Sequence, residues 1–420
     1  MRTRFHGRFP AVTAGLAAAA LVMAGCSSSG SPKPGATASG SASAAARSTA
    51  APITIGMLVA ETGLNSSASA PTTQVASAWE QWVNASGGLG GHPVNVIVKD
   101  TGANPVSALS EAKDMVQQDS ADAVVLQDAA SEGAVGQYLQ SMNIPVIGAA
   151  GFNPAVWGVL PDYVTLITTP PAIHQVHDVA ATAAGAKTIM SVVCAEVPSC
   201  AVAASNVQKA ATANGLTFAG SVTVRADQPD YTAECLSIMQ KKVHYIAMSL
   251  TPDVATRVAG DCKQQGYSGL IGVTALIQSQ ADKLPGVRYS GGIFAFPWWV
   301  DAPPVRQFRS VMARYEPNAD IRSPYMTATW TALELFRRAL GKPSGTVTPA
   351  SVMDAYYGLK DETLGGLLPQ PLTLTRGKGA PPVNCFWLFD YTSGGKNPTA
   401  VTHGRNGNGG SDGLASSCSS

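Results

Sequence analysis

From residue 53 onward, short β-branched runs alternate with stretches whose apolar residues share one helical face, and this alternation narrows the available folds more than any other feature. Residues 53–60 read as a strand. Val75, Trp79, Trp82 and Val83 follow at i, i+4, i+7 and i+8, one face of a helix that Gly87 and Gly88 end before a strand at 94–99. Asn104 and Pro105, an N-cap and a first-turn proline, open a helix through Val106, Leu109 and Val116. A strand at 123–126, a helix marked by Val135, Tyr138, Leu139 and Met142, and a strand at 145–148 follow. Such tandem βα units imply a parallel sheet with helices on both faces.

A second series begins near residue 170. It reads as helix 172–184, strand 188–194, helix 201–214, strand 218–224, helix 231–241, strand 243–250, helix 253–265, and strands 270–273 and 292–296. A second parallel sheet of similar size is therefore expected. Two helices with continuous apolar stripes follow at 305–315 and 325–340, then a strand at 386–390. The Gly/Ser/Asn-rich segment 404–420 is expected to be loose, pinned at most by Cys418. The fold class is α/β, with two Rossmann-like lobes.

The N-terminus carries Arg2, Arg4 and Arg8 ahead of an apolar run from 11 to 25 that stops at Cys26. The run suits the core of a signal peptide and is too short to span a bilayer comfortably. Small residues directly before Cys26 resemble a bacterial lipobox, with Met23 where leucine is usual. That resemblance implies that residues 1–25 are removed and that Cys26 becomes the lipidated first residue. Residues 27–52 are almost wholly Ser, Ala, Gly, Pro and Thr, with no apolar face to bury, and read as a tether. As a random coil the tether would reach roughly 28 Å.

Charge and cysteine usage fit this division. The 420 residues carry a net charge of +1, which becomes −2 once the arginine-bearing leader is gone, so no electrostatic nucleic-acid partner is expected. Of 7 cysteines, one goes to lipid and six remain in an oxidising compartment, where disulfides are the default. The six contain no Cys-x-x-Cys pair and admit about fifteen pairings. Nearest-neighbour pairing suits the layout. Cys194–Cys200 would close a loop at a strand end, Cys235–Cys262 would join consecutive helices, and Cys385–Cys418 would pin the tail.

Particular residues sharpen the reading. They are Glu61-Thr62-Gly63 after the first strand; the run from Asn84 through Gly91 after the first helix; Asp100 with Asn104-Pro105; Asn143-Ile144-Pro145-Val146-Ile147 leading into Gly151-Phe152-Asn153-Pro154; and the stripe at 325–340. In this order, behind a lipobox, the chain from about 53 to 401 resembles the branched-chain amino acid (leucine/isoleucine/valine-binding) type of periplasmic solute-binding protein, with the type I fold. The resemblance implies an N-terminal lobe of 53–168 plus 297–376 and a C-terminal lobe of 169–296 plus 380–403. Hinge segments would lie near 166–171, 296–300 and 374–382. It also implies a function: an extracytoplasmic, membrane-anchored component of an ATP-binding-cassette importer that closes on a small organic solute and delivers it to a permease and its ATPase subunits. A bilobal sensor reporting to a membrane receptor is the alternative, and a hydrolase a distant third.

The pocket positions of the amino-acid binders do not carry over. Where the first carboxylate-binding hydroxyl is expected stands Ala129, and Phe152 replaces a threonine at the edge after the fourth strand. The two ammonium-binding acids fall near Pro170-Pro171 and Ala275. A different solute is expected, with Glu61, Thr62, Asp128, Ser131, Phe152, His174, Glu196, Thr251 and Trp298 as candidate contacts. Phe152 and Trp298 also suit a core, and Glu61 also suits a solvated loop. His174, His177 and Asp178 share a helix, but no third zinc ligand is evident, so no metal is expected. The motifs H-E-x-x-H, G-x-x-x-x-G-K and a G-x-G-x-x-G after the first strand are absent from the sequence, and no catalytic residue or cofactor is expected.

Overall fold

In the first lobe, strands β1 (Ile53–Val59), β2 (Val94–Asp100), β3 (Ala123–Gln127), β4 (Val146–Gly148) and β5 (Tyr163–Thr165) form a parallel sheet in the order β2-β1-β3-β4-β5. The connections carry α1 (Ser66–Ser69), α2 (Thr72–Ala85), α3 (Pro105–Gln117), α4 (Glu132–Ser141) and α5 (Pro154–Trp157). This computed structural model describes residues 50–419 apart from Ala150, Val197 and Asp412, so the leader, Cys26 and nearly all of the tether lie outside the described residues. Side chains alternate across each strand. Ala123 and Val125 of β3 face the α2 side, whereas Val124 and Leu126 pack with Ala112 and Met115 of α3 and Val135 of α4. Local signals act as anticipated: the Asn104 side chain accepts from Val106 N–H at 2.8 Å and Ser107 N–H at 3.3 Å, with Pro105 as the first helical residue.

The second lobe comprises α6 (Pro170–Ala183), β6 (Thr188–Cys194), α7 (Pro198–Ala213), β7 (Thr217–Val224), α8 (Thr232–Gln240), β8 (Tyr245–Ser249), α9 (Pro252–Gln264), β9 (Leu270–Gly272), α10 (Gln278–Ala281) and β10 (Arg288–Ile293). The chain then returns to the first lobe, where α11 (Pro303–Tyr315) and α12 (Pro324–Leu340) pack on α2 and α13 (Pro349–Gly358) packs on α12. A last passage adds β11 (Cys385–Thr392), β12 (Thr399–Val401) and β13 (Ser417–Cys418) to the second sheet, whose order is β12-β11-β10-β9-β8-β6-β7 with β13 on β11.

Three differences from the sequence reading have physical causes. The second sheet is larger than the first and becomes antiparallel at β10, β11 and β12. Strand β10 ends at Ile293, so Phe294–Phe296 belong to a crossover; Gly291 and Gly292 lie against the backbone of Val273 and Trp387, and glycine carries no periodic signal. The tail expected to be loose is docked. Asn408 Nδ2 donates toward the carbonyls of Gly366, Leu368 and Leu414 at 3.2, 3.1 and 2.9 Å, Trp387 Nε1 donates to Leu414 at 2.9 Å, and Leu414 is buried. The Asn408 amide, the Cys385–Cys418 bridge and the pairing of β13 with β11 together fix the segment that composition reads as loose.

The chain passes between the sheets three times, before α6, after β10 and before β11. The first and third passages are tied together: Thr168 Oγ1 donates to Cys385 O at 2.7 Å, and Thr169 donates to Val383 O through both its N–H and its hydroxyl, each at 2.9 Å. On the second, Phe294 stands edge-on to Phe152 at 6.3 Å and to Tyr325 at 5.3 Å.

The disulfides are Cys194–Cys200, Cys235–Cys262 and Cys385–Cys418. Cys235 and Cys262 are fully buried and join α8 to α9. Replacing both with alanine should lower stability by about 2–4 kcal/mol. Calorimetry of the double variant tests this, and a melting temperature equal to that of the wild type would count against a stabilising bridge.

Candidate functional site

In open α/β sheets, binding groups collect beyond the carboxyl ends of the strands. At that edge of the first lobe, β2 ends in Asp100, whose carboxylate accepts from the N–H groups of Glu61, Thr62 and Gly102 at 2.9, 3.2 and 2.8 Å and from the Thr62 hydroxyl at 2.7 Å. Burial opposes ionisation of Asp100, but these donors, the Thr62 hydroxyl foremost, hold it below the usual carboxylate range. Glu61 and Thr62 are exposed, and the hydroxyl and N–H of Thr62 are engaged within the loop.

Beyond β3, two of the sequence candidates meet. Asp128 is 4% exposed and accepts from the Thr101 hydroxyl at 2.8 Å, from Ala130 N–H at 2.9 Å and from the Ser131 hydroxyl. Ala129 is exposed beside them. Glu132, which the sequence reading passed over, is 1% exposed. Its carboxyl accepts from Phe152 N–H at 2.9 and 3.1 Å and from Asn153 N–H at 2.5 Å, joining the loop after β3 to the loop after β4. Burial pushes Glu132 up to about 7, with the neighbouring Asp128 charge adding to the rise and the two N–H groups opposing it. In the sequence Glu132 is only a first-turn acid of a helix, a position that ordinarily signals the helix dipole. Gln127, at the end of β3, is 3% exposed with neither amide atom paired to protein.

The second lobe's edge is less polar. Leu250 and Pro252 beyond β8, Val273 and Ala275 beyond β9, and Gln280 and Tyr289 line a pocket between α9 and α10. Thr251, a sequence candidate, is the N-cap of α9, and its hydroxyl makes no capping bond. The Tyr289 hydroxyl and Gln280 Oε1 are buried atoms without a protein partner. Ala275 thus lines the pocket where an acid was sought, and Pro170 begins α6 as a first-turn proline.

The remaining candidates are spread out. Glu196 is exposed and accepts from Ala226 N–H at 2.6 Å and Ala195 N–H at 3.1 Å. His174 Nδ1 sits 2.9 Å from Asn206 Nδ2 of α7, and burial pulls its pKa down to about 4. One turn deeper, burial lowers His177 to about 3 and raises Asp178 to about 8, so both are neutral at pH 7. Among the described residues no group of three or more His, Cys, Asp or Glu is placed to hold a metal ion. Trp298 is 2% exposed, edge-on to Trp299 at 4.7 Å, with its carbonyl accepting from Arg309 at 3.2 Å. Its environment is that of a core aromatic. Among the described residues no helix is long and apolar enough to cross a membrane.

The structure resembles several solved proteins. One is the branched-chain amino acid transporter substrate-binding protein of Streptococcus pneumoniae in complex with isoleucine, at TM-score 0.68 and 16% identity over 83% of this chain and 99% of that one. A fatty acid ABC transporter substrate-binding protein from Thermomonospora curvata gives 0.69 and 17% over 83% and 91%. An ABC transporter solute-binding protein of Rhodopseudomonas palustris in complex with benzoate gives 0.65 and 17% over 83% and 95%. At such identities the likeness concerns the fold, and no curated protein sequence matches the chain. A profile described as periplasmic binding protein matches residues 52–396. Two α/β lobes crossed three times by the backbone, and a family match over most of the chain's length, establish that this protein belongs to the periplasmic binding protein family.

Proposed function

We propose that the protein is an extracytoplasmic lipoprotein, anchored through Cys26, that captures a small organic solute between its lobes by hinge closure and delivers it to an ATP-binding-cassette permease. The observation that carries the reading is the family match from 52 to 396 on a chain whose lobes are linked by three crossovers. In this reading the lobes are 53–168 with 297–376 and 169–296 with 380–403, and closure about the crossovers brings the two strand edges together. Asp128, Ser131 and Phe152 stand on the first edge and Thr251 on the second. Glu61 stands at the first edge with an exposed side chain, whereas Thr62, His174, Glu196 and Trp298 are weaker contacts, since each is engaged elsewhere or lies apart from both edges. The small residues before Cys26 and the polar stretch after it support the anchor. The bound species is a solute rather than a substrate, and no bond is made or broken.

Two measurements test the proposal. Cys26→Ala should abolish incorporation of labelled lipid and move the protein out of the membrane fraction; persistent labelling would refute anchoring at Cys26. For binding, the mature body should show a higher melting temperature and a smaller radius of gyration with one or more small organic solutes. A broad solute screen that leaves both unchanged would remove the binding reading.

A further inference from the structure

The two edges differ in what they leave free for a ligand. At the first edge most donors are already engaged, the exception being the buried, neutral Gln127 amide, which has no protein partner. Phe152 and Asn153 N–H are held by Glu132, while Ala130 N–H and the hydroxyls of Thr101 and Ser131 are held by Asp128. Both acids are at least nineteen-twentieths buried. The chain's own carboxyl groups thus occupy hydrogen-bonding positions that an incoming carboxylate would need. A ligand carboxylate would also approach like charge with no basic side chain bonded to either acid to offset it.

At the second edge, the pocket between α9 and α10 is walled by Leu250, Val273 and Ala275. Its open hydrogen-bonding groups are neutral. The Tyr289 hydroxyl, on a residue 4% exposed, and Gln280 Oε1 both line the pocket and lack protein partners. Unpaired buried polar atoms cost free energy unless something completes them, and a hydroxyl and an amide oxygen lining one pocket suit a group that both accepts and donates. Next to Pro252, Asp253 is exposed and acidic, again unfavourable to an anion.

We infer that the solute is uncharged, with an apolar body and a terminal amide or hydroxyl held by Tyr289 and Gln280, and that Glu132 and Asp128 exclude carboxylates from the same site. The inference rests on the solute-binding reading above and specifies its ligand class.

The test is a titration of the mature body with ligands of matched carbon skeleton: benzamide against benzoate and benzylamine, and octanamide against octanoate and octylamine. Melting temperature and calorimetric affinity are the readouts. The amide should bind about tenfold or more tightly than the carboxylate of its series, the scale expected when an ionised group is left without donors. In Tyr289→Phe the amide should weaken by about fivefold to tenfold while the apolar contacts remain. In Glu132→Gln at pH 8.5, where Glu132 of the wild type is ionised, the preference for amide over carboxylate should shrink by about fivefold or more, because the like charge is gone. A carboxylate or an amine that outcompetes its amide would overturn this inference and leave the binding reading intact. Tyr289→Phe with unchanged amide affinity would remove Tyr289 from the site and overturn the assignment. If no member of any series binds while other small solutes do, the inference falls alone; if no small solute binds at all, both readings fall.

Discussion

Truncating Trp79 to alanine should destabilise the protein by about 3–5 kcal/mol, the range for removing a fully buried tryptophan. The loss goes beyond volume. Trp79 Nε1 donates to Glu334 Oε1 at 2.8 Å, and Glu334 is paired with Arg337 at 2.8 Å. The Arg337 guanidinium lies over the Trp82 ring at 5.2 Å, and Trp82 stacks on Trp330 at 5.7 Å. Helix α2, early in the chain, is therefore fastened to α12, which arrives only after the chain has passed through the second lobe as far as β10. Removing the indole leaves a cavity and takes one donor from a buried carboxylate. Urea unfolding checks the magnitude, and a loss below about 1 kcal/mol would contradict a packed α2–α12 seam. Trp79→Phe should recover much of the packing but not the hydrogen bond, so an intermediate loss is expected.

Glu132 should make stability fall as pH rises. Its pKa is about 7 in the folded protein, against 4.5 for an ordinary glutamate, because burial penalises the charged form. A folded-state pKa above the unfolded one means that the native state holds the proton more tightly. The contribution is therefore complete below about pH 4.5 and is lost as pH climbs through about 7, a swing of roughly 3 kcal/mol. Glu132→Gln stays neutral and keeps an acceptor for Phe152 N–H, so it should gain on the wild type by roughly 3 kcal/mol between pH 4.5 and pH 8.5. Denaturation at the two pH values measures this, and an identical difference at both would show that Glu132 titrates normally. Asp178, raised to about 8 by burial, adds a fall in the same direction over a similar range. His177 and His174, lowered to about 3 and 4, contribute stability that is lost as pH drops below about 6.5.

Much of the fold is legible in the sequence because its signals are local. Side-chain alternation in β1 and β3, the apolar stripe of α2 and the Asn104-Pro105 start of α3 each depend on neighbours within one or two turns. The short β5, of three residues, offers too few positions to show a period, and Gly291 and Gly292 displace the reading of β10, expected at 292–296 and found at Arg288–Ile293. The candidate site is less legible. Asp128 and Ser131 are close in sequence and do meet, but the partners of Glu132 lie about twenty residues away, on the loop after another strand. Tyr289 comes from a strand whose sequence gives no hint that its hydroxyl would be left unpaired beside α10.

The sequence by itself determined the α/β class and the order of most elements, because these follow from periodicity and capping residues along the chain, while its motifs pointed to the family by resemblance and nearest-neighbour layout pointed to the cysteine pairs that the structure forms. Tertiary structure decided that the second sheet ends in antiparallel strands, that the tail docks through Asn408, and that the carboxyl groups of Asp128 and Glu132 fill their own strand edge. Those outcomes depend on which distant groups come within hydrogen-bonding reach once both lobes are packed, and no local pattern records it.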